Sequence, residues 1–140
     1  MKNELNIVGI QSGIVWEKPE VNLEYFDQQI SMLPSTVDLV ILPEMFTTGF
    51  TMNAMKLAEL ENGETLIWMK NQALKMNCAI TGSLIISKNN FFYNRLFFVF
   101  PSHSIDQESV TLFCSITIAD LHEVALSFST LDPKISLKNL

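Results

Sequence analysis

Positive charge is scarce in this chain. Nine lysines and arginines stand against fifteen acidic residues, and the single arginine, Arg95, lies apart from most of the lysines. No basic stripe is available to neutralise phosphates, which argues against nucleic acid as a partner. Cysteine is as rare. Cys78 and Cys114 are far apart and have no second ligand at metal-binding spacing, so neither a disulfide framework nor a zinc site is indicated and reduced thiols are expected. Five glycines and five prolines in 140 residues, with 48% hydrophobic residues, exclude a low-complexity chain and point to one domain with a large core. No apolar run approaches the ~20 residues of a membrane span, and MKNELNIVGI at the start holds no apolar signal-peptide segment. A soluble, cytoplasmic protein without a membrane partner is the expectation.

Several chemistries lack their residues. There is no G-x-S-x-G elbow, since Gly82 and Ser83 lie inside a strand pattern. Gly9 and Gly13 do not precede a helix at the spacing of a phosphate loop. His103 and His122, with Asp106 or Glu123 nearby, have no fixed helical spacing and read as surface residues, so no metal and no cofactor is expected. Cys114, within VTLFCSI, reads as a small buried hydrophobe and not as an activated thiolate.

What is present alternates between strand and helix. Leu5 to Gln11 reads as a first strand. Pro19 opens an amphipathic helix of ~15 residues whose apolar set is Val21, Leu23, Tyr25, Phe26, Ile30 and Leu33, stopped by Pro34. Leu39 to Leu42 is a short buried strand. A helical turn is expected at Ala54 to Leu57, and a second helix from Glu64 to Met76 with Leu66, Ile67, Met69, Ala73 and Leu74 inward. Cys78 to Ile86 and Phe91 to Phe100 form a hairpin around Lys88, Asn89 and Asn90, with Gly82 admitting a close approach of other backbone. The prediction is an α/β layer in which Leu5 to Gln11, Leu39 to Leu42 and Ala79 to Ile86 are neighbouring strands, the first two parallel, covered on one face by both long helices. After Pro101 the pattern weakens: TLFCSITIA reads as a strand, and the end LDPKISLKNL as a loosely ordered tail.

The chemistry centres on VDLVILPEMFTTGF, Val37 to Phe50. Glu44 follows a buried strand and Pro43 at once, where ligands of open α/β sheets bind, so a carboxylate with restricted solvent access and a general-base role is expected there. Tyr93, Asn94 and Arg95 interrupt an apolar strand and must either face water or find partners.

At Leu42 to Phe50, LPEMFTTGF, and Ile80 to Ile86, ITGSLII, the chain resembles the carbon-nitrogen hydrolases of the nitrilase superfamily, in particular the ω-amidase-like branch. The likeness runs from Gln11 through Trp16, Glu17, Asn22, Trp68 and Met69 to FYNRLFFVFP at Phe92 to Pro101. It implies the N-terminal half of a four-layer α-β-β-α sandwich. It also implies hydrolysis of small keto-acid amides, with Glu44 as catalytic base and Tyr93 and Asn94 lining the substrate. The family's catalytic lysine and cysteine have no counterpart, for no lysine occurs between Lys88 and Lys134 and Cys114 stands too early. The resemblance therefore implies a partial domain over 1–104 and an unaligned tail over 105–140, as truncation or a frame change near Ile105 would produce. An inactive chain is expected. The alternative is a non-catalytic module that pairs with itself or with an intact relative.

Overall fold

The computed structural model describes residues 4–101 and, as backbone, 110–117. Its elements are β1 (Ile7–Gly9), α1 (Pro19–Ser31), β2 (Leu39–Ile41), α2 (Ala54–Leu57), α3 (Glu64–Met76), β3 (Ala79–Lys88), β4 (Phe91–Val99) and β5 (Val110–Thr117). The five strands form one sheet in the order β1-β2-β3-β4-β5, with β1, β2 and the start of β3 parallel and β3, β4 and β5 antiparallel. The expected α/β layer is present. Both parallel strands before β3 are only three residues long, so the seven-residue strand read at Leu5 to Gln11 is trimmed to the length that β2 can pair.

One apolar core lies between the sheet and the two long helices. Phe26 and Ile30 of α1 and Leu66, Met69 and Ala73 of α3 meet Val40, Leu42, Ile80, Leu84, Ile86, Phe97 and Val99. Alternation in the strands sends every second side chain to this face. The stripe of α3 is narrower than its composition suggests: Ile67 and Leu74 are exposed, because the buried positions 66, 69 and 73 follow three- and four-residue steps that those two miss. On α1, Val21 and Tyr25 likewise face water.

The helix ends explain their boundaries. Pro19 supplies the preset backbone of a first helical residue, with Glu20 in the first turn. At α3 the cap residue is Gly63, which offers no side chain; the Glu59 carboxylate substitutes by accepting from the Thr65 amide at 2.9 Å. Asn77, left-handed at φ 51°, closes the helix. Asn89 and Asn90 are both left-handed, the backbone a two-residue hairpin turn requires.

Beyond its pairing with β2, the free edge of β3 is met by the segment after α2, where Glu59 bridges Ile86 in parallel. The strand expected in TLFCSITIA is β5, and Cys114 stands in register with Leu96 of β4. His103, Asp106, His122, Glu123 and the rest of the tail lie outside the described residues. Among the described residues no helix is long and apolar enough to cross a membrane.

Candidate active site

The chain leaves β2 through a turn anchored on both sides of the sheet. Leu42 extends the ladder by one bond, its amide donating to the Thr81 carbonyl at 2.8 Å, and Pro43 ends it. Met45 then adopts a left-handed backbone, φ 48°, and Gly49 another, φ 73°. The Met45 carbonyl accepts from the amides of Thr48 at 3.1 Å and Gly49 at 2.8 Å, which closes the turn. Met45 packs with Ala54 and Ile85, whereas Phe46 enters the main core and meets Phe26 edge-on at 5.5 Å and Trp68 at 5.9 Å. Neighbouring side chains are thus seated in two different clusters. Glu44 is held just ahead of them.

Three polar residues secure this turn. Ser83 of β3, buried, accepts the Met45 amide at 2.9 Å. Asn94 of β4 donates through Nδ2 to Glu44 Oε1 at 2.7 Å. Asn22 of α1, also buried, accepts from the Val15 amide at 2.8 Å and donates to the carbonyls of Val15 at 2.8 Å and Thr47 at 2.7 Å, tying the loop after β1 to the turn. Glu17 adds a hydrogen bond from its amide to the Thr48 carbonyl at 3.0 Å and accepts the Thr51 hydroxyl.

The expectation that Glu44 has restricted solvent access is wrong: the residue is exposed. One amide donor cannot replace the hydration of a carboxylate, so a group with that one partner among the described residues keeps its contact with water. The residues read as substrate contacts also separate. Asn94 meets Glu44, but Tyr93 belongs to the other face of β4, where its ring lies 5.3 Å from the Arg95 guanidinium. Arg95, which the sequence leaves open between surface and partner, is buried and donates to Glu61. Lys88 reaches the same Glu61 oxygen at 3.0 Å. The bond from Lys88, followed by that from Arg95, holds the Glu61 carboxyl below the usual carboxylate range against partial desolvation.

Of the two cysteines, Cys78 is buried, and burial together with the Asp38 charge pushes its thiol up, away from nucleophilic use. Cys114 is placed here only by its backbone register in β5. Sequence gives Ser83 and Asn22 no functional role, though both lie in stretches that carry the family likeness. A serine inside a strand and an asparagine inside a helix carry no periodic signal; the turn they support shows what they do.

Comparison with known proteins finds relatives of this fold. The carbon-nitrogen hydrolase family matches residues 7–112. Omega-amidase YafV of Yersinia enterocolitica is 33% identical over 101 residues, 72% of this chain and 39% of that protein. The 2-oxoglutaramate amidase of Bacillus subtilis is 30% identical over 90 residues, 63% of this chain and 35% of that protein. Among solved structures, XC1258 of Xanthomonas campestris, a CN-hydrolase superfamily protein with an arsenic adduct in its active site, superposes with a TM-score of 0.72 at 32% identity, covering 80% of this chain and 40% of that one. An N-terminal amidase shares the fold at a TM-score of 0.63 and 13% identity, with 81% and 27% covered. The chain spans about two fifths of the length of the omega-amidases it matches. With its mixed sheet, its helix layer and a glutamate presented at the end of β2, the chain belongs to the carbon-nitrogen hydrolase family.

Proposed function

We propose that this chain supplies the general base of an ω-amidase-type site, with Glu44 as the base and a small keto-acid amide as the substrate class. The observation that carries the reading is the placement of Glu44 at the carboxyl end of β2 on a turn fixed from both sides, within 2.7 Å of Asn94. A base must be held in one geometry to take a proton from a thiol or water, and an exposed carboxylate on a rigid turn meets that need. By itself the chain hydrolyses no such amide above background. Cys78 is buried and its thiol is raised, and the covalent route requires a thiol that Glu44 can reach.

The test has two arms. The purified chain is assayed on small keto-acid amides, and background rates are expected; turnover that vanishes in both Cys114→Ala and Glu44→Gln would overturn the inactive reading. In the second arm, residues 7–101 of this chain replace the matching stretch of Omega-amidase YafV from Escherichia coli. Amide turnover by that chimera should fall by about 10²- to 10⁴-fold with Glu44→Gln, the range for loss of a general base. Turnover indifferent to that change would reject Glu44 as the base.

A further inference from the structure

Asn94 carries an unexplained feature. Its Oδ1 is buried and accepts no hydrogen bond among the described residues, while its Nδ2 is committed to Glu44. An ionised carboxylate only accepts, so it selects the amide orientation that presents Nδ2. Asn94 thereby gives its donor to the Glu44 carboxylate. Ser83 acts on the same turn from the neighbouring strand, for it accepts the amide of Met45, the left-handed residue next to Glu44. In register, Ser83 pairs with Leu96 and Ile85 with Asn94, so the two polar residues are diagonal neighbours on adjacent strands, two residues out of direct register, on the face turned away from the helices.

We propose that Ser83 and Asn94 are positioning residues for Glu44: Ser83 fixes the backbone that follows it, and Asn94 fixes its carboxylate. The proposal rests on reading Glu44 as the base. Asn94 then belongs to the base and not to the substrate. The two contacts depend on each other, because releasing Met45 lets the turn relax and carries Glu44 away from Asn94.

The test is NMR on the full, isotopically labelled chain at neutral pH. In the unaltered chain a through-hydrogen-bond coupling should link Asn94 Nδ2 to Glu44 Cδ, and the Met45 amide should exchange slowly. Ser83→Ala should speed Met45 exchange about tenfold, as loss of one hydrogen bond allows, and should abolish the coupling while core signals of Met69 and Ile80 stay in place. Ser83→Thr, which keeps a hydroxyl, should preserve both. A coupling that survives Ser83→Ala, or is absent from the unaltered chain, overturns the clamp. If Ser83→Ala unfolds the chain, the unaltered chain and Ser83→Thr decide: coupling in both upholds the clamp, and its absence from either rejects it. These signals are read without turnover. A chimera whose turnover ignores Glu44→Gln rejects the base and leaves the clamp standing, whereas lost coupling rejects the clamp and leaves the base standing.

Discussion

Gly82 shows how one residue shapes the site. A Cβ there would lie 3.0 Å from the Cβ of Leu42 and 3.0 Å from the ring of Phe46, the two side chains on either side of the Glu44 turn. The close approach read from the sequence is real, but it is made by side chains and not by backbone. Gly82→Ala should cost about 1–3 kcal/mol through overpacking, measured as a lower urea midpoint at unchanged m-value. Gly13→Ala, with nothing within 4 Å of the added carbon, serves as the control and should stay within about 0.5 kcal/mol. Glu44 was legible as a candidate because proline, carboxylate and turn residues are contiguous in sequence. Its exposure was not, since hydration depends on what the rest of the fold brings over it.

At the scale of elements, α1 does more than cover the sheet. Phe26 and Ile30 face the core, while Asn22, one turn earlier than Phe26, binds backbone groups of two separate loops. Asn22→Ala would leave the part-buried Val15 amide and the buried Thr47 carbonyl without that partner. The expected loss is at least about 2 kcal/mol in thermal or urea unfolding, with Asn22→Asp intermediate because it keeps the acceptor for Val15 and loses the donors. The bounds of α3 were readable because the apolar periodicity of Glu64 to Met76 is local. The bounds of β1 were not, since a strand is as long as its partner permits.

At the scale of the whole molecule, the Glu61 cluster links the segment after α2 to the far end of the β3–β4 hairpin. Its carboxyl is depressed by Lys88 and then Arg95, so the linkage has a definite sign. The stabilisation is present above the ordinary glutamate range and is lost as pH falls through the lowered folded-state value. With Glu61 45% and Lys88 49% exposed, solvent screening limits it to about 1 kcal/mol or less. Glu61→Gln should therefore be slightly less stable than the unaltered chain at neutral pH, and the gap should close in acid. Urea unfolding across pH 2 to 7, roughly the span around a carboxylate titration, measures this; a gap that widens in acid would refute the assignment.

The order of strands and helices, the inward positions Phe26, Ile30, Leu66, Met69 and Ala73 and the hairpin turn at Asn89 and Asn90 were set by the sequence itself. These depend on periodicity and backbone preference within short windows. The working geometry was decided by the tertiary structure. Glu44 and Asn94 are 50 residues apart, Met45 and Ser83 are 38 apart, and they meet through the parallel pairing of β2 with β3 and the antiparallel register of β3 with β4. A one-residue slip in either register would turn Ser83 or Asn94 to the other face of the sheet. Local sequence places a carboxylate at a strand end, and only the packed sheet determines which donors hold it there.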